Sequence, residues 1–213
     1  MPSDYRYEKK RGHAGTVSLA VVAVILAAVG IVSWLALNDP NAGKSFTPPS
    51  EALALKTAKS AITGQEVSFE PAEVSGFLNY LIQKEKSGAG SASPVSGAEF
   101  SAGANNTADL YLPVTYAGKQ FGVTMEGTPS VEDGNIVFAV QSLHVGRLPL
   151  DPAWAFGMMK DRLPAAMSVQ GSEISYPLPD IGVSVGGVSV GFTLKSLKME
   201  DGKLGVKAAA KLG

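Results

Sequence analysis

The chain has 213 residues, 45% of them hydrophobic and 17% charged, with a formal net charge of −1 and no cysteine. The near-neutral balance excludes a nucleic-acid binder, which needs clustered Lys and Arg to displace phosphate counterions. The missing thiols exclude disulfides, thiolate metal sites and cysteine nucleophiles; no cofactor or metal is expected.

Residues 1–14 carry Arg6, Lys9, Lys10 and Arg11, and residues 15–37 carry no charge at all. At 1.5 Å per residue that uncharged run reaches roughly 34 Å as a helix, enough to cross a hydrocarbon layer ~30 Å thick. Trp34 stands where an interfacial aromatic belongs. Basic residues stay inside, so the spacing predicts a cytoplasmic tail (1–14), a transmembrane helix (15–37) and everything later outside the cytoplasm. A cleaved signal peptide would have an apolar region of about 7–15 residues ending in small residues. This run is longer, and Trp34-Leu35-Ala36-Leu37 is a poor cleavage site. The expected location is the cell membrane, single-pass. A domain held together outside the cytoplasm without disulfides suits a bacterial envelope, where Asn105-Asn106-Thr107 is an accidental glycosylation pattern.

Residues 38–50 read as a linker, because Asp39-Pro40, Gly43 and Pro48-Pro49 cannot continue a helix. The exported domain then occupies 51–213. Ser50 is a candidate N-cap for a helix over 51–63, closed by Gly64; it reads either as a domain helix or as a stalk along the membrane. From Pro71 to Lys86 the apolar residues Val74, Phe77, Leu78, Leu81 and Ile82 recur at helical spacing, giving one apolar face that must pack on something. Residues 87–108 are rich in Gly, Ala, Ser and Asn and read as a long connection with a weak strand near Phe100.

After this the period switches to two. Leu110, Leu112, Val114 and Tyr116 alternate, Ala117-Gly118 turns, and Phe121, Val123 and Met125 alternate again. Glu132-Asp133-Gly134 signals a hairpin into a strand over 135–145, apolar on both faces and so either covered on both or partly lipid- or ligand-facing. Asp151 and Pro152 open a third exported helix, ending near Leu163-Pro164. Strands are expected over 167–176, 181–197 and 203–212, the last two joined at Asp201-Gly202. The segments starting at Val131 and Met199 share a Glu-Asp-Gly turn with similar flanks, an outcome equally natural for chance and for duplication.

Two consecutive G-x-S-x-G patterns, centred on Ser184 and Ser189, match the nucleophile elbow of esterases. That chemistry needs a strand, a strained turn and a following helix. The residues after Gly191 alternate like a strand, and His144 precedes both serines, the reverse of the hydrolase order. The patterns are therefore read as strand, and the protein is read as no enzyme. His144 reads as a strand-end residue facing solvent or a carbonyl rather than a pH-tuned group. The paired acids before Gly134 and Gly202 are turn residues.

Trp154, Phe156, Met158 and Met159 make the 151–163 helix too apolar to need only one partner face. Either it plugs the concave side of the sheet, or its flexible side chains line a space for a hydrophobic guest.

The N-terminal anchor, the helix beginning Phe69-Glu70-Pro71, the hairpin Asp133 to Phe138, and Val145-Gly146-Arg147-Leu148-Pro149-Leu150-Asp151-Pro152 before a helix come in an order that resembles the YpmS-like membrane-anchored proteins of Gram-positive bacteria. The resemblance implies no activity. Its helix–meander–helix order is similar to tubular lipid-binding domains at the level of fold alone. The expected fold is α+β: the anchor, then a curved antiparallel sheet packed on two helices. The expected function is a non-catalytic, membrane-anchored envelope protein binding a hydrophobic or amphiphilic ligand (a lipid or a lipid-linked cell-wall precursor) against Phe77, Leu81, Trp154, Phe156 and Met158. The rival is a scaffold docking a membrane or cell-wall partner protein.

Overall fold

The computed structural model describes residues 14–87, 94–160, 167–177, 181–185 and 188–211. The basic tail and the end expected for the third exported helix at Leu163-Pro164 lie outside them. Within them the chain is α+β, with four helices and antiparallel strands in two sheets.

Helix α1 runs Ala14–Leu37 and α2 Ala52–Thr63. The first turn of α2 is served by Ser50, whose Oγ accepts from the Ala52 N–H at 3.2 Å. Gly64 closes the helix at φ 70°, ψ 5°, the left-handed conformation that costs glycine least. Helix α3, Pro71–Ser87, starts with Pro in its first turn and Glu73 beside the positive end of the helix dipole, and ends with Lys84 and Lys86 in its last turn. Helix α4 is Pro152–Met159.

The seven-stranded sheet is ordered β2-β3-β4-β5-β8-β7, with β6 paired to β5 off that path. Its strands are β2 Glu99–Ala102, β3 Ala108–Tyr116, β4 Lys119–Glu132, β5 Asn135–Val145, β6 Leu148–Leu150, β7 Ser168–Gln170 and β8 Glu173–Pro177. The four-stranded sheet is ordered β1-β11-β10-β9, with β1 Val67–Phe69, β9 Ile181–Val185, β10 Val188–Glu200 and β11 Lys203–Lys211. Three tight turns have the paired positive φ values of type I′: Ala117-Gly118, Asp133-Gly134 and Asp201-Gly202.

Three expectations need correction. The single curved sheet is two sheets, because β9, β10 and β11 pair with one another and with β1, Val67 opposite Val206, rather than joining the other strands. The strand expected over 167–176 is a hairpin, folded at Gly171 with φ +59°. The strand expected over 181–197 is likewise two antiparallel strands, β9 and β10, with Val185 opposite Val188.

One face of the seven-stranded sheet holds both of the main core clusters. At one end Phe100, Ala108, Val131 and Ile136 meet Phe69, Leu194, Met199, Leu204 and Val206 of the other sheet, together with Ala58 and Ala61 of α2 and Val74 of α3. At the other end Met125, Val140 and Leu143 are covered by Ala155 and Phe156 of α4. Phe138 packs against both groups. A bulge at Gln141, between the pairs Gly127–Val140 and Glu126–Ser142, keeps Val140 and Leu143 on this same face.

Helix α3 also seals an edge. Strand β2 is the last strand on its side, and its open backbone faces α3 rather than solvent. Asn79 takes the Ala98 N–H on Oδ1 at 2.8 Å and returns a bond from Nδ2 to the Ala98 carbonyl at 2.9 Å. Ser75 Oγ accepts from the Phe100 N–H at 2.8 Å. Residues four apart on a helix are about 6 Å apart along its axis, and residues two apart on a strand about 6.6 Å, so the two side chains stand in for a neighbouring strand.

Candidate functional site

Helix α4 is built from its first residue upward. Asp151, extended at ψ 121°, accepts the Trp154 N–H on Oδ1 at 2.7 Å, and Pro152 fills a first-turn position whose N–H would be unpaired anyway. From Pro152 to Met159 no side chain is charged, and the one side-chain donor is the Trp154 indole N–H. Ala155 and Phe156 point into the core, while Trp154, Met158 and Met159 point away from it, 58%, 66% and 49% exposed. Trp154 and Met158, one turn apart, share the outer face. Arg147 and Lys160 are exposed on either side of the helix in the chain, and neither is in an ion pair among the described residues.

The other two residues expected to line an apolar groove lie elsewhere. Phe77 is half-buried on α3, its ring 6.3 Å from that of Tyr80, and Leu81 is 44% exposed. Helix α3 packs on β2, α2 and β11, whereas α4 packs on β5 and β7. Thus the five residues fall into two sets on two parts of the core, and only Phe156 among them is deeply buried. Two hollows among the described residues involve none of the five. One, of about 280 Å³, is lined by Phe46, Thr47, Pro48, Asn79, Ile82 and Lys86 among others. The other, about 170 Å³, lies over Glu132, Asp133 and Glu173.

A second locus has no counterpart in the reading of the sequence: the last turn of α1 and the stretch after it are bonded to the domain. The Arg147 N–H donates to the Leu35 carbonyl at 2.9 Å, and Gly146, at φ +59°, lies so close to the Leu35 and Ala36 carbonyls that a Cβ there would come within 2.6 Å of both. Asp39 accepts from the Tyr111 hydroxyl on Oδ2 at 2.6 Å and from the Asn41 N–H on Oδ1 at 2.8 Å. Its carboxylate lies over Gly122, where any side chain would collide with it. Phe46 stacks on Tyr111 with ring centroids 6.2 Å apart. Thr47 donates from Oγ1 to Glu99 at 3.0 Å, and its carbonyl accepts from Asn79 at 2.9 Å. Burial, and then the bond to Asp39, push the Tyr111 hydroxyl well above the ordinary tyrosine range. One signal in the sequence pointed here: Tyr111 alternates with Leu110 and Leu112, so it puts an aromatic ring on the sheet face opposite the core.

The remaining chemical candidates stay apart from both loci. Ser184 and Ser189 are directly opposite one another across the β9–β10 hairpin, and strand continues to Glu200 with no helix after it. His144 is on β5 between Thr124 and Pro149. Among the described residues no group of His, Asp and Glu could hold a metal ion. Also among the residues described to their side chains, which in α1 are those from Ile25 onward, no helix is long and apolar enough to cross a membrane.

Compared with known proteins, the chain matches no family model, no curated protein and no solved structure.

Proposed function

We propose that the chain is a single-pass membrane protein with its N-terminus inside, whose non-catalytic domain works at the outer face of a bacterial cell membrane on lipid or lipid-linked envelope material. The span is carried by the uncharged sequence of residues 14–37, all within one helix. Ile25, Leu26, Val29, Ile31 and Val32 are each about half exposed or more, so the domain does not cover them and they need another apolar partner. The resemblance to the YpmS-like proteins belongs to the same proposal and rests on residue pattern.

The observation that carries the reading is the outward apolar face of α4, on a domain tied directly to the last turn of α1. An acyl chain lying against Trp154 and Met158 gains roughly 0.8 kcal/mol per buried methylene, and methionine adapts to variable guests. Phe77 and Leu81 belong to a separate surface, so the amphiphile is proposed to lie on α4 rather than between α3 and α4.

Because the chain has no cysteine, single introduced cysteines test the topology cleanly. An impermeant maleimide should label Lys119→Cys on intact cells, and Ser3→Cys only after lysis. Native mass spectrometry of the full chain from bacterial membranes should then show co-purifying lipid. Lipid-free protein would favour the second reading, a scaffold, for which the exposed Leu55 and Ile62 on α2 offer a docking stripe.

A further inference from the structure

We infer that α4 is an interfacial helix: its outer face, Trp154 with Met158 and Met159, is seated in the outer leaflet of the same bilayer that holds α1. The inference rests on the anchored reading above and deepens it by naming what covers this face.

Three observations converge. First, a helix whose one polar side-chain donor between Pro152 and Met159 is the Trp154 indole N–H calls for mostly apolar surroundings, and the sheet supplies only the side of Ala155 and Phe156. Second, the leaflet is within reach. The turn at Gly146-Arg147 is bonded to Leu35, in the last turn of α1, and α4 comes after the three-residue strand β6. Three strand residues cover about 10 Å. The headgroup layer beyond the hydrocarbon is itself some 5–7 Å thick on each side, so a domain docked this closely holds α4 at the bilayer surface. Third, the charge suits that position. Arg147 and Lys160 lie on either side of α4 in the chain, exposed and without an ion-pair partner among the described residues, as do the cations of helices lying on anionic lipid. Asp151, the acid at the start of α4, is already engaged as the N-cap.

The test uses the chain's two tryptophans, Trp34 and Trp154. The full chain is reconstituted in phosphatidylcholine–phosphatidylglycerol nanodiscs, with and without lipid brominated on its acyl chains. Trp34→Phe leaves Trp154 as the sole indole, and Trp154→Phe leaves Trp34. Brominated lipid is expected to remove most of the emission of both single-tryptophan proteins, and aqueous acrylamide to quench Trp154 weakly. Quenching of Trp34 with Trp154 unaffected by bromine and open to acrylamide overturns the inference and leaves the anchor standing. Protection of Trp154 from both quenchers also overturns it, in favour of a protein partner or a second copy on this face. An unquenched Trp34 shows that α1 is not in the bilayer, and the inference falls with its premise.

Discussion

The Tyr111 hydroxyl, on the sheet face away from the core, donates a 2.6 Å hydrogen bond to Asp39, two residues beyond the end of α1. A bond to a charged acceptor contributes about 1.5–3 kcal/mol. Tyr111→Phe and Asp39→Asn should each lower the stability of the full chain in detergent by about 1–2 kcal/mol, with the double variant little worse than either single one. Fully additive losses in a double-mutant cycle would show that the two groups do not act together.

The same pair predicts an alkaline limit. Tyr111 titrates above the ordinary tyrosine range in the folded protein because burial and Asp39 disfavour its phenolate. A raised folded value means its contribution is complete below the unfolded value, about 10, and is lost as pH climbs through the folded one. Wild-type unfolding midpoints should therefore fall above pH 10 more steeply than those of Tyr111→Phe. Parallel curves would sink the assignment.

Asn79 carries a different kind of load. It is 7% exposed and makes three bonds, two to Ala98 and one to Thr47. Asn79→Ala strands the Ala98 N–H and two carbonyls, at a cost of about 2–3 kcal/mol. Denaturant titration should show this, and a change under about 0.5 kcal/mol, the range of ordinary surface substitutions, would mean that water replaces the side chain.

Glu73 is held below the usual carboxylate range chiefly by its bond to Lys56, helped by the Glu70 N–H. A lowered folded value gives stability that is present above the unfolded pKa and disappears as pH falls through the folded one. Lys56 is half exposed, so solvent screening limits the pair, and Glu73→Gln should cost about 0.5–1 kcal/mol at pH 7. The difference from wild type should shrink toward zero in acid; a difference unchanged at pH 3 would contradict the ion-pair account.

The two G-x-S-x-G serines should be inert. Ser184→Ala with Ser189→Ala is expected to leave any p-nitrophenyl ester hydrolysis by the full chain at its wild-type rate, because both lie in paired strands without a following helix. Loss of turnover in the double variant would revive the hydrolase.

Much of the fold was legible because it is local. The one-faced spacing from Val74 to Ile82, the Asp151-Pro152 start and the Asp-Gly turns each fix backbone within a few residues. Strand partners are not local. β1 has three residues, too few for a period, and it acquires meaning only from β11, 139 positions from Val67 to Val206. The hairpin at Gly171 was hidden because its arms are too short to fix a period: Val169 is the one apolar residue of the arm before the turn, and only Ile174 and Tyr176 alternate after it. For the candidate site, composition revealed that α4 is too apolar for one partner, but not which residues the sheet would take. That depended on the bulge at Gln141, which sets the face Phe156 meets. The helix–strand bonds of Ser75 and Asn79 left no trace in hydropathy, since both are polar residues on the buried side of an amphipathic helix.

The bonded stretch from Leu35 to Ser50 bears on how far the domain can roam. A free tether of about a dozen residues would let it wander some 20 Å from its root. Fastened at Arg147, Tyr111, Glu99 and Asn79, it has no such leash, and sweeps no volume of its own. On the proposal that α1 is a membrane anchor, whatever the domain meets must diffuse along the surface to it, at one height and in one orientation.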